Sequence, residues 1–215
     1  MLLIQETRTK KLFCLMGYMA VGKDTIQKEV LKYFDGKVQP VVSTTTRPMR
    51  PGEQEGVEYY FISDEEFFRL GGEQAFAETR IYHTKVQENG VEKDAIWKYG
   101  IERMELEKND YLITIVDAEG FKELKEYIGR MRIVPIFIST PIEEIKQRAL
   151  KRGDLEAEVD RRIASDIERF RDFKVKTVFP IVYNHEGDLD KAVKEVCTII
   201  EKHMKEVESR FQKKK

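Results

Sequence analysis

KLFCLMG (Lys11–Gly17) is a short apolar run ending in glycine, and DTIQKEVLKYF, from Asp24, carries apolar residues at helical spacing. The two are joined by GYMAVGKDT, in which four free residues separate Gly17 from Gly22 and Lys23 follows at once. A buried strand that turns through such a loop straight into a helix restricts the fold severely. It is the opening unit of an α/β sheet whose first helix presents its N-terminus to an anion. Successive backbone N–H groups there wrap phosphate oxygens, and the lysine reaches the outer phosphates. Gly17, Ala20, Val21, Gly22 and Lys23 are therefore the candidate cradle for a nucleoside triphosphate.

The loop departs from its pattern at one position. A Ser or Thr belongs after the lysine, where its hydroxyl holds Mg²⁺; here Asp24 stands in that place and Thr25 comes one residue later. A carboxylate in a first helical turn suits the helix dipole and is a hard oxygen ligand for Mg²⁺. Either Asp24 replaces the hydroxyl, or Thr25 serves after a small shift, or Asp24 caps a glycine turn that holds no ligand.

YLITIVD (Tyr111–Asp117), RIVPIFIS (Arg132–Ser139) and PIVYN (Pro180–Asn184) are further continuous apolar runs, the signature of parallel strands buried on both faces. Helical patterns lie between them at Glu119–Ile128, Pro141–Lys151, Glu156–Phe173 and Leu189–Phe211, with Pro141 in a first turn and Asp188 as a cap. The alternation predicts a three-layer α/β fold with a mostly parallel central sheet. Residues 43–100 interrupt it with prolines, glycines and alternating segments such as VEYYFI, which predict a small antiparallel lobe with a hairpin at Asn89-Gly90. RALKRGDLEAEVDRRI (Arg148–Ile163), densely charged around Gly153, predicts a mobile flap between two helices. The expected division is a core of residues 8–42, 101–140 and 166–205, a lobe of 43–100, a flap of 141–165 and a basic tail of 206–215.

Length and charge narrow the function. The 215 residues suit one domain, and 38 Lys and Arg against 39 Asp and Glu leave no overall field for nucleic acid or a membrane surface. Cys14 and Cys197 form no CxxC pair, which predicts reduced core residues. The start, MLLIQETRTKK, is too short an apolar run for a signal peptide, and nothing approaches a membrane span, so a cytoplasmic location is expected.

The most specific stretch is STTTRPMRPGEQEGVEYYF, Ser43–Phe61. Arg47 and Arg50 are followed by glycines, Glu53 and paired tyrosines; arginine clamps phosphate bidentately, and Ser and Tyr hydroxyls extend the cradle. This stretch, with the glycine loop, resembles the signature of guanylate kinases, and the likeness runs from about Lys11 to Lys202. The resemblance implies transfer of the ATP γ-phosphoryl group to GMP or dGMP with Mg²⁺. By the same resemblance, Ser43, Arg47, Arg50, Tyr59 and Tyr99 hold the GMP phosphate, and Glu78 in QAFAETR accepts hydrogen bonds from guanine. Asp117 matches an aspartate at the end of the family's strand, and the resemblance places it among the GMP-binding residues. Arg148 and Arg152 match flap arginines over the ATP phosphates, Arg162 matches an arginine on the next helix, and Asn184 ends the last strand on the ATP side. Lys23, Arg47, Arg148, Arg152 and Arg162 are the implied catalytic set, with Asp24 and Thr25 toward the metal.

Three differences from the family stand out: Asp24 in the loop, Ile115 in place of a strand-end aspartate, and Ile101 in place of a serine that contacts guanine. The chain is also longer between Glu78 and Tyr99. Two other readings remain beside the guanylate kinase one. A kinase of this fold acting on another phosphorylated small molecule is left open by Ile101 and the longer hairpin. A non-catalytic protein-binding relative is opposed by the retained Gly17, Gly22 and Lys23. The oligomeric state, monomer or homodimer, is open.

Overall fold

The computed structural model describes residues 9–88, 91–176 and 179–212. In chain order its elements are β1 (Lys11–Met16), α1 (Lys23–Phe34), β2 (Gln39–Pro40), β3 (Ser43–Thr45), β4 (Tyr59–Phe61), α2 (Asp64–Gly72), β5 (Phe76–Glu88), β6 (Val91–Glu102), β7 (Tyr111–Ile115), α3 (Ala118–Ile128), β8 (Ile133–Ser139), α4 (Ile142–Lys151), α5 (Glu156–Lys176), β9 (Ile181–Tyr183) and α6 (Leu189–Gln212). They form two compact units. One is built from Thr9–Pro40 with residues 109 onward, the other from Val41–Lys108.

The first unit holds a five-stranded, wholly parallel sheet in the order β2-β7-β1-β8-β9. All six residues of β1 are buried, which is why that segment reads as continuously apolar. Helices cover the sheet in two layers. α1 and α6 pack on each other and on β1, while α3 packs on α5 and β8. Phe13 of β1 meets the His203 ring of α6, and Phe137 of β8 meets Phe170 of α5 edge-on at 5.3 Å. The α/β fold with a mostly parallel sheet is the one expected. Cys14 and Cys197 are buried and free. Among the described residues no helix is long and apolar enough to cross a membrane.

Some element ends differ from those expected by a residue or more. Asp117 leaves its strand to cap α3, its Oδ1 accepting from Gly120 N at 2.8 Å. Pro141 stands at the N-cap of α4 rather than inside its first turn, with ψ 144 in the extended region. Asp188 directly precedes α6, and its carbonyl accepts from Ala192 N. α5 runs to Lys176, three residues past the expected end at Phe173.

The second unit carries a four-stranded sheet, β4-β3-β6-β5. Two of its pairings are antiparallel, as expected for this lobe, and β3 with β4 is parallel. The Asn89-Gly90 turn lies outside the described residues; on either side of it Glu88 pairs with Val91. The helix α2 is not foreseen from periodicity. Its start is nonetheless written in Ser63-x-x-Glu66, with the Ser63 hydroxyl accepting from Glu66 N at 3.2 Å and three acids in the first turn. The edge strand β2 was also missed, because its two residues end in Pro40, which an edge tolerates and a periodicity argument discards.

Candidate active-site elements

Gly17 closes β1 with φ 143 and Gly22 opens α1 with φ 91. A Cβ on Gly17 would stand 2.3 Å from the Ile138 carbonyl oxygen, and one on Gly22 would stand 2.6 Å from Asn184 Nδ2. Both positions therefore need glycine for conformation and for space. Ala20 between them has φ 53, a left-handed conformation that costs an alanine about 1 kcal/mol. Gly22 is the N-cap of α1 and no side chain caps it, which leaves the first-turn amides to a ligand. Asp24 therefore lies inside the first turn. The alternative in which Asp24 caps the turn is set aside, since Gly22 holds that position.

Lys23 Nζ donates to the carbonyls of Gly17 (2.9 Å) and Tyr18 (2.7 Å), folding the lysine across its own loop. Burial lowers its pKa to about 8, with Asp166 and Asp24 pulling upward and Arg162 downward. Asp166 of α5 accepts from Met19 N at 2.7 Å and so ties the loop to that helix. Burial raises the Asp166 pKa, opposed by the Met19 bond and by Lys23, Arg169 and Arg162.

Asn184 at the end of β9 is buried and pins the loop from the other side: its Nδ2 donates to Val21 O at 2.8 Å. Its own carbonyl accepts from Arg148 Nη2 at 2.8 Å and from Thr140 Oγ1 at 3.0 Å. Glu144, one turn before Arg148, pairs with it at 3.4 Å, accepts from Glu186 N at 2.9 Å and meets His185 Nδ1 at 3.1 Å. One continuous set of bonds thus joins glycine loop, β9 end and α4. Loop residues 20 and 22–25, Arg148, Arg152 and the 184–187 segment line a single open cavity. Arg152 is exposed and paired with Asp154. Arg162, exposed on α5, is not among the lining residues. Asp117 stands in this unit too, its carboxylate capping α3 with Arg169 3.9 Å away.

Donor chemistry here fits a Mg²⁺ ion shared with phosphates. Asp24 and Thr25 offer two hard oxygens at the cavity wall. Among the described residues no cluster of three or more His, Cys, Asp or Glu that could hold a metal ion exists.

In the second unit strand register does the assembling. Ser43 pairs with Tyr59, Thr45 with Tyr99, and Tyr99 with Arg80. Directly opposed residues share a face, so Ser43, Tyr59, Tyr99 and Glu78 project from one side of the sheet. A bulge between Phe76 and Glu78 makes this possible: it breaks the alternation, so that Phe76 packs under Gly100 while Glu78 joins the tyrosine face. Tyr59 and Tyr82 both pack edge-on to the Tyr99 ring. Arg47 is buried beside them, 5.2 Å over the Tyr59 ring, with Nη2 on Glu53 Oε1 at 2.7 Å. Burial weakens the hold of Arg47 on its proton, but the Glu53 bond and Tyr99 more than offset it, leaving its pKa raised. Glu53, held below the usual carboxylate range by Arg47, also accepts from Arg50 N at 2.7 Å. The Arg50 side chain is exposed. Glu78 is 7% exposed and faces Ile101, which is fully buried.

Three supporting residues escaped the sequence reading: Asp166, Glu144 and Arg80. Asp166 and Glu144 each stand four residues from an arginine of interest (Arg162, Arg148), a spacing that places opposite charges on one helix face. Arg80 stands two residues after Glu78, the strand counterpart of that signal.

The sequence profile of the Guanylate kinase family matches residues 9–203. A guanylate kinase of Chlamydia felis is 34% identical over 145 residues, 66% of this chain and 65% of that relative, so the match spans just under two thirds of its length. A guanylate kinase of Clostridioides difficile is 33% identical over 193 residues, covering 88% of this chain and 86% of the relative. In fold, the chain resembles the crystal structure of guanylate kinase from Anaplasma phagocytophilum, with a TM-score of 0.60 at 24% identity over 91% of this chain and 86% of that one.

Proposed function

This chain belongs to the guanylate kinase family, and on that footing we propose that it transfers the γ-phosphoryl group of ATP to GMP or dGMP, giving ADP and the diphosphate. The observation that carries the reading is the convergence of Ser43, Tyr59, Tyr99 and Glu78 on one sheet face, in a chain whose glycine loop opens on an uncapped helix.

The division of labour follows from the two sites. Loop amides from Gly17 to Lys23 cradle the ATP phosphates, with Ala20 and Val21 setting their curvature. Lys23 swings from the Gly17 and Tyr18 carbonyls onto a phosphate. Arg148 and Arg152 neutralise the transferring group, joined by Arg162 as the flap closes; Asn184 holds loop and arginine in register. Asp24 and Thr25 would hold the Mg²⁺ that accompanies ATP and neutralises charge on its phosphates. Ser43, Arg47, Arg50, Tyr59 and Tyr99 grip the GMP phosphate, and Glu78 accepts hydrogen bonds from guanine N1–H and the 2-amino group. Asp117 serves GMP only indirectly, by fixing the start of α3. No general base is required, since the acceptor phosphate is already anionic, so catalysis rests on positioning and charge neutralisation. The buried free cysteines fit a reducing, cytoplasmic setting.

An ATP-coupled assay across GMP, dGMP, AMP, CMP and UMP tests the reading directly. Turnover is expected with GMP and dGMP. Preference for another acceptor, or no turnover with any, overturns it.

A further inference from the structure

Glu78 can satisfy only part of a guanine edge. Its two oxygens accept from N1–H and the 2-amino group, while O6 and N7 of the same base are acceptors that need a donor. Ile101, directly across the strand pair from Glu78, is buried and has no hydrogen-bonding group in its side chain. Arg80 is a guanidinium donor on this face. It lies two residues beyond Glu78 on β5, opposite Tyr99, with its side chain 11% exposed. Arg80 Nη1 stands 3.9 Å from Glu78 Oε2, close enough to pair in charge and too far for a hydrogen bond. Nη1 is held in place by the carbonyl of Thr79.

We propose that Arg80 is a specificity-determining residue that donates to O6 and N7 of the acceptor base, completing the guanine recognition begun by Glu78. The proposal rests on the reading of Glu78 as the guanine acceptor. Adjacent opposite charges match the base: N1–H and O6 are neighbours on its edge, and an Arg–carboxylate pair presents acceptor and donor side by side. Arginine is the side chain whose planar fork spans guanine O6 and N7. Adenine reverses the polarity at both edge positions, meeting Glu78 with unprotonated N1 and Arg80 with a 6-amino group. The pair therefore rejects it twice.

The experiment compares binding of GMP, 6-thio-GMP and 7-deaza-GMP by calorimetry for the parent, Arg80→Ala, Arg80→Lys and Glu78→Ala. The parent is expected to prefer GMP over each analogue by about tenfold or more. Arg80→Ala should weaken GMP by a similar factor and bring all three ligands to near-equal affinity, with ATP binding unchanged. Arg80→Lys keeps the charge beside Glu78 but loses the fork, so it should fold if the alanine variant does not and still lose most of the discrimination against 7-deaza-GMP. If Arg80 only steadies Glu78, all three ligands weaken together, the preference survives in Arg80→Ala, and the proposal is overturned. If Glu78→Ala leaves GMP binding intact, the guanine reading of Glu78 itself fails and takes the proposal with it. A loss of GMP binding in Glu78→Ala with discrimination unchanged in both Arg80 variants overturns the Arg80 inference alone.

Discussion

In the glycine loop the groups proposed to meet an anion belong to the backbone, apart from Lys23, whereas on the face of the sheet β4-β3-β6-β5 they belong to side chains. The loop depends on φ angles at Gly17 and Gly22, on the space left by absent Cβ atoms, and on Asn184 gripping Val21 O. The sheet face depends on register, which brings Ser43, Tyr59, Tyr99 and Glu78 together from four strands. Recognition by backbone amides is blind to the identity of most loop residues. Recognition by side chains is blind to most of the backbone and acute about each truncated group. The two regions should accordingly fail in different ways.

The sharpest test of the loop is Lys23→Ala. Among the described residues Lys23 Nζ bonds only to two loop carbonyls, so the fold should survive with little change in Tm. Loss of a cation proposed to reach the outer phosphates should cut kcat by about 10³-fold. Folded protein with activity within a few-fold of the parent would show that this loop does not carry the reaction. On the sheet face the matching test is Glu78→Ala. It should weaken GMP about 100-fold, or roughly 3 kcal/mol, and leave ATP alone, because two base donors lose their acceptor. Equal losses for both nucleotides would erase the distinction between the regions.

The same contrast explains what could be read from the chain. Gly17, Gly22 and Lys23 sit within seven residues, so strand, loop and helix are legible from local pattern alone. The sheet face is scattered from Ser43 to Tyr99 and assembled by pairings no local rule supplies; only the arginine–glycine–tyrosine signature betrayed it. The bulge at Phe76/Glu78 was invisible, because simple alternation places both residues on one face. Local pattern left the alternative of Asp24 as a cap open for a related reason: Gly22 takes that position through φ 91, a property of the turn and not of any polar side chain. Asp166 was missed because its partner is a backbone amide 147 residues away.

A smaller effect separates the regions by pH. Lys23 has a pKa of about 8 in the protein, so between there and the ordinary 10.5 it is neutral in the fold and protonated in the unfolded chain. Stability from this group therefore rises with pH across that window. Anion binding runs the other way, since phosphates require the charged lysine. At pH 8.5 roughly three quarters of Lys23 is neutral, and ADP without metal should take up most of a proton on binding. Calorimetry in buffers of different ionisation enthalpy measures this uptake. GMP, held by arginines and tyrosines, should show none from this source. Buffer-independent heats for ADP at that pH would refute the assignment of Lys23 to the phosphates.

The smallest expected effect concerns Asp24, and it bears on whether the loop relies on its backbone alone. Asp24 lies in the first turn of α1, on the wall of the cavity that would receive the phosphates. By itself a carboxylate there repels them, although it suits the helix dipole. A divalent cation shared between carboxylate and phosphate reverses the sign, so a loop with Asp at this position should depend on Mg²⁺ more steeply than one with a hydroxyl. Asp24→Ser removes the repulsion and restores a hydroxyl. Because Gly22, not Asp24, is the N-cap, the substitution costs only a dipole interaction of about 0.5 kcal/mol, and stability should barely move. Binding of metal-free ATP should tighten a few-fold, and the Mg²⁺ concentration for half-maximal activity should rise. The two titrations report different things, one the repulsion and the other the metal. If both curves superimpose on those of the parent, Asp24 contributes only its charge at a helix start, and the backbone cradle with Lys23 is the whole of the loop's chemistry.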